Sequence, residues 1–149
     1  KLDSSDERVR VKPDNLVILA VRQGAKKGWG DAALREGRTE QAIGFYTSAL
    51  QDCAEVDPEL EASLRSNLAA AYARKKDHNQ ALAEVNKALS LRPNWAAAHS
   101  RKAFSMLGLG RCAEAQSAYI KALQLDPLEE SCVAGLAQAT DQLAKDQIP

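Results

Sequence analysis

Apolar and small residues recur along the chain at three- and four-residue spacings, and one stretch repeats that pattern almost position for position. Residues 80–93 (QALAEVNKALSLRP) read onto residues 114–127 (EAQSAYIKALQLDP). Ala81, Ala88 and Pro93 are answered by Ala115, Ala122 and Pro127, each at an offset of 34 residues, and Lys87-Ala88-Leu89 returns as Lys121-Ala122-Leu123. Spacings of this kind place the repeated residues on one face of a helix. They predict two equivalent helices, each ended by a proline.

The same pattern extends in both directions. Structure is expected to begin near Pro13, with Asp14 or Asn15 capping a helix that starts at Leu16 and gains an apolar face from residues 16–21. Gly24, Gly28 and Gly30 follow, each weakening a helix by up to about 1 kcal/mol relative to Ala, and suggest close helix contact rather than a break. Gly30, Gly37, Ala42, Tyr46 and Ala49 fit the tetratricopeptide pattern of Gly, then Ala-x3-aromatic, then Ala, which implies a first helix pair over 23–36 and 40–55, with Gly37-Arg38-Thr39 as its turn and Thr39 as its cap. The second pair is expected over 58–75 and 79–91, the third over 95–109 and 113–125. Ala42 to Ala81 spans 39 positions, five beyond the period. Asp57-Pro58-Glu59, a capping acid, an N1 proline and a carboxylate suited to the helix dipole, directs those extra residues into the helices flanking that turn. After Asp126-Pro127, another cap-and-proline start, residues 128–145 carry Cys132, Leu136, Ala139 and Leu143 on one stripe, as a terminal helix covering the last repeat does.

A 34-residue period of helix-forming residues is the tetratricopeptide period, a helix-turn-helix unit that stacks on its neighbours. The fold class expected is all-α: a right-handed α-solenoid of three tetratricopeptide repeats (about 23–57, 58–93 and 94–127) plus a capping helix at 128–145. These form a single domain over 13–145. Residues 1–12 alternate charges with little apolar material and are expected to be a flexible tail, because such a segment cannot offset its own ordering entropy. Residues 146–149 form a short C-terminal tail.

Beyond the repeat skeleton, the chain carries Ser66-Asn67 followed by Ala69-Ala70-Ala71-Tyr72, the Lys-Lys-Asp of residues 75–77, and Pro93-Asn94-Trp95 followed by Ser100-Arg101-Lys102-Ala103. Gly135-Leu136 lies in the last helix. With these residues the chain resembles the three-repeat tetratricopeptide domains of cytosolic co-chaperones such as the Hsp-organising protein and protein phosphatase five, over about residues 23–143. The resemblance implies a protein-interaction module whose first helices line a concave groove. In that family five polar side chains there hold the terminal carboxylates of a chaperone tail ending Glu-Glu-Val-Asp. Lys27, Asn67 and Arg101 match three of the five positions. Asp31 stands where the family has Asn, and Ala97 where it has Lys, so the implied clamp is incomplete. At about 1.5–3 kcal/mol for each charge-assisted hydrogen bond, the two departures would cost a carboxylate tail roughly 3–6 kcal/mol.

The spacing supports a shared surface without reference to the family. Lys27, Asp31 and Leu34 fall on one helical face, as do Asn67, Ala70 and Arg74, and Ala97, Arg101 and Phe104. Stacked, these faces offer cationic donors from Lys27, Arg74 and Arg101, an amide from Asn67, and apolar contact from Leu34 and Phe104. The candidate peptide-binding residues are therefore Lys27, Asp31, Asn67, Arg74, Arg101 and Phe104. Asp31 has two readings: an exposed pair with Lys27 one turn away, or an acceptor for a basic or amide group of a different ligand. Trp29 and Trp95 are expected to anchor packing between helices.

Composition narrows the remaining classes. In 149 residues, 45% are apolar and 5% aromatic, which predicts one domain with a core mainly of Ala and Leu. Twenty basic and 20 acidic residues cancel, so no overall field favours nucleic acid or an anionic membrane. No apolar run approaches the roughly 18–20 residues of a membrane span, and residues 1–12 lack the apolar core of a signal peptide, so a cytoplasmic location is expected. Cys53, Cys112 and Cys132 have no metal-site spacing and read as small packed residues. His78 falls in an expected turn, exposed to solvent, and His99 on a helix, where it is expected to pack rather than to act in catalysis or bind metal. There is no Gly-rich phosphate loop, no paired His and carboxylate, and no nucleophile with an evident base, so neither enzyme activity, cofactor nor metal is expected. The first residue is Lys, which suggests a piece of a larger protein. Two alternatives to the acidic-peptide reading stay open: a groove reassigned to a non-carboxylate peptide, and a scaffold or self-association module using the convex face or the cap helix.

Overall fold

The computed structural model describes residues 13–52 and 57–148. The expected tail at 1–12, Cys53, Pro149 and the side chains of Asp14, Asn15 and Leu16 lie outside the described residues. Among the described residues seven helices follow one another: α1 (Pro13–Arg35), α2 (Thr39–Gln51), α3 (Pro58–Arg74), α4 (His78–Leu91), α5 (Ala96–Gly108), α6 (Cys112–Leu125) and α7 (Glu130–Asp146). No strand occurs among the described residues. Each odd helix folds back against the even helix that follows, and α7 lies against α6. The odd helices α1, α3, α5 and α7 also touch in succession, forming one surface of an all-α solenoid.

The repeated residues explain the pairing. Ala42, Ala81 and Ala115, then Ala49, Ala88 and Ala122, are fully buried on the even helices. Among the described residues, 14 of the 22 buried apolar residues are alanines, so helix backbones meet closely and few large side chains stand between them. Tyr46, Val85 and Tyr119 occupy the equivalent larger position between those alanines. Tyr46 lies so near Gly30, and Tyr119 so near Gly135, that a Cβ at either glycine would collide with the ring. Only glycine permits that approach.

The turns within the pairs share one geometry. Arg38 N–H donates to the Ala33 carbonyl (2.8 Å), Asp77 N–H to Tyr72 (3.0 Å) and Arg111 N–H to Met106 (2.9 Å), each closing a helix end through a left-handed residue. Gly37 and Gly110 take that conformation with φ of 76°, and Lys76 takes it with φ of 61°. Asp57 caps α3 by accepting from Glu59 N–H at 3.0 Å, and Asp77 caps α4 by accepting from Gln80 N–H at 3.3 Å.

Several expectations are corrected. The first helix begins at Pro13 rather than Leu16 and runs unbroken to Arg35. Gly24 and Gly28 face open space, so only Gly30 of the three marks close contact. Thr39 is already helical; Arg38 holds the cap position without a side-chain cap bond. The inserted residues lengthen α3, which has 17 residues against 13 in α5, but not α2, which has 13 against 14 in α6. The last helix starts at Glu130, because Asp126 accepts from Leu128 N–H at 3.1 Å and holds the chain in a turn first. His78 is half-buried rather than solvated: its ring meets Phe104 edge-on, centroids 5.9 Å apart, and presses on the bare face of Gly108. Trp29 is 55% exposed against Phe45 and anchors little, whereas Trp95 is half-buried against the core beneath the Arg92 guanidinium, 4.3 Å from its ring centre. Cys112 and Cys132 are buried free thiols.

Candidate peptide-binding groove

The surface shared by α1, α3 and α5 is a groove with two adjoining cavities. The first, about 320 Å³, is lined by Asp31, Leu34 and Arg35 of α1, Tyr46 of α2, Asn67, Ala70 and Arg74 of α3, and Arg101 of α5. The second, about 290 Å³, lies between α3 and α5 and reaches α6 and α7, with Ala69, Ala70, Ala73, Arg74, Ser100, Arg101, Phe104, Ser105, Tyr119 and Ser131 as its walls. Ala70, Arg74 and Arg101 belong to both. Five of the six candidate residues thus border one continuous concavity, and the sixth, Lys27, joins it through Asp31. Ala97 lies one turn before Arg101 on α5 and supplies no cation.

At the first-repeat end the polar groups close on one another. Lys27 Nζ donates to Asp31 Oδ2 at 2.8 Å. Asn67 Nδ2 (2.8 Å) and the Tyr46 hydroxyl (2.6 Å) both donate to Asp31 Oδ1. Asp31 is therefore paired with Lys27, though the pair is half-buried rather than exposed, and it also receives an amide, from the protein itself. Burial alone would raise the Asp31 pKa; the Lys27 and Tyr46 hydrogen bonds, the Lys27 charge and the Asn67 bond outweigh it and hold the carboxyl below its usual value. Burial, then the bond to Asp31 and its charge, push the Tyr46 phenol well above its ordinary range.

The third-repeat end is different. Arg101 donates through one nitrogen to the Ser66 hydroxyl at 2.6 Å, and Arg74 donates to the Leu34 carbonyl. Among the described residues neither forms an ion pair. Arg101 still shows surface to solvent, yet dehydration in the concavity lowers its pKa, opposed weakly by Tyr46 and Glu129. The guanidinium stays charged regardless. Beside it Phe104 is 52% exposed over the alanine- and serine-lined cavity.

Tyr46, Ser66 and Arg35 belong to this site and were not among the sequence candidates. A signal existed for Tyr46: a buried tyrosine needs a partner for its hydroxyl, and the equivalent position of α4 holds Val85, which needs none. No helix is long and apolar enough to cross a membrane, and no group of three potential metal ligands occurs among the described residues.

Comparison with known proteins agrees with this architecture. A tetratricopeptide repeat profile matches residues 23–94. The Hsp70-Hsp90 organizing protein of Triticum aestivum is 41% identical over 113 residues, covering 76% of this chain and 19% of that protein. The chain thus spans about a fifth of that relative's length. Among solved structures, the first TPR domain of human RPAP3 has a TM-score of 0.77 at 26% identity, covering 85% of this chain and 95% of that one. The first TPR of Spaghetti (RPAP3), bound to the HSP90 peptide SRMEEVD, has a TM-score of 0.73 at 26% identity, covering 91% and 98%. With its 34-residue period, its helix pairs and alanines buried at equivalent positions of α2, α4 and α6, the chain belongs to the tetratricopeptide repeat family.

Proposed function

We propose that this chain is a protein-interaction module of co-chaperone type, without catalytic activity of its own, which holds a short acidic peptide in the groove of α1, α3 and α5. The acidic C-terminal tail of a heat-shock chaperone in the cytosol is the partner the reading favours. The observation that carries it is Arg101: a partly dehydrated guanidinium facing a concavity, with a hydroxyl but no carboxylate for a partner, next to Arg74 and an apolar cavity. A partly dehydrated cation without an ion-pair partner gains more from an incoming carboxylate than one on open surface. Two relatives support the partner class, one an Hsp70-Hsp90 organizing protein and the other a domain bound to an HSP90 peptide.

Calorimetric titration with the peptide SRMEEVD tests this. Arg101→Ala removes a charge-assisted bond of about 1.5–3 kcal/mol, so binding should weaken at least about tenfold. Lys121→Ala, an equal loss of charge on the outer helix α6, should leave binding alone. Affinity unchanged by Arg101→Ala would reject the site.

A further inference from the structure

Asp31 supplies its own carboxylate to donors that face the groove from three helices. Lys27 of α1, Tyr46 of α2 and Asn67 of α3 all converge on it, at 2.8, 2.6 and 2.8 Å. A peptide carboxylate brought to the same donors would lie beside a like charge, and two carboxylates sharing one site disfavour each other's ionised form. At the other end of the groove Arg74 and Arg101 form no ion pair among the described residues, although the Glu129 charge acts on Arg101, and the cavity beside Phe104 is lined largely by alanine and serine.

We propose that Asp31 is a built-in anion occupying the first-repeat end of the groove, so that the domain recognises an internal acidic segment through Arg74, Arg101 and the cavity beside Phe104 and does not read a free C-terminal carboxylate. This rests on the preceding reading that the groove takes an acidic peptide. It narrows the ligand: a segment with an acidic side chain near an apolar one binds as well inside a chain as at its end.

The test is calorimetry on the whole domain with SRMEEVD as the free acid and as its C-terminal amide, for the wild type and for Asp31→Asn. The wild type should prefer the acid by less than about fivefold, and Asp31→Asn by more than about fivefold, since one charge-assisted bond to the freed donors is worth about tenfold or more. A larger preference in the wild type, or a smaller one in the variant, overturns the inference while leaving the acidic-peptide reading intact. If the wild type binds neither peptide, the acidic-peptide reading fails, and the variant decides the rest. Acid-selective binding by Asp31→Asn upholds the masked site, and no binding overturns it. Asp31→Ser is read in its place if circular dichroism shows that Asp31→Asn does not fold.

Discussion

Asp31 and Arg101 lie in the same concavity, and their surroundings treat them in opposite ways. Asp31 is surrounded by donors, so its folded pKa lies below the unfolded carboxylate value of about 3.9. A depressed carboxyl contributes stability that is complete above the unfolded pKa and is lost as pH falls through the folded one. Urea midpoints for the wild type and Asp31→Asn should therefore differ most near pH 6, with the wild type more stable, and converge as pH falls below about 4. A difference that stays constant from pH 6 to pH 3 would mean that the Asp31 charge contributes nothing. The Lys27–Asp31 pair was legible in the sequence, because residues four apart on a helix meet. Tyr46 and Asn67 were not legible as its partners: they come from other helices, and the Tyr46 hydroxyl is aimed by a ring seated against Gly30.

At the scale of the element, the three intra-pair turns are closed by the same backbone bond, but only two use glycine. Lys76 holds φ of 61°, a left-handed conformation that costs a residue with a Cβ about 1–2 kcal/mol. Glycine avoids that strain and offsets part of the gain through its freer unfolded chain. Lys76→Gly should thus stabilise the domain by about 0.5–1 kcal/mol in urea denaturation, without a change of slope. A loss of stability would show that Lys76 makes compensating contacts. The turns at Gly37 and Gly110 could be read from their glycines, and helices α3 to α6 were placed within about a residue by their caps and prolines. The turn at Lys76 was located only by the repeat period, and its strain left no mark in the sequence. The start of α7 was misjudged because Asp126-Pro127 resembles a helix cap while serving as a turn of its own.

Across the molecule, the core divides into three clusters, one centred on each helix pair, joined by shared residues such as Tyr72 and Leu82. Each repeat meets only its neighbours, the construction that gives a solenoid a long continuous inner surface. Cys132 and Ala139, buried on α7, and Leu136, packed beside them, complete the last cluster, as the stripe in the sequence implied. The groove itself was legible as three stacked faces, because a repeat of fixed length returns each first helix to the same orientation. Its division into an anionic end paired within the protein and a cationic end without an ion pair was not, since it depends on contacts between repeats.

An acidic peptide bound by this domain would occupy the inner surface. The most direct measurement is an amide chemical-shift map of the isotopically labelled domain titrated with SRMEEVD. Occupancy of the groove should give saturable changes clustered at Asn67, Ala70, Arg74, Ser100, Arg101 and Phe104, with the outward faces of α2, α4 and α6 unaffected. Changes concentrated on those outer helices, or no saturable change at all, would contradict it.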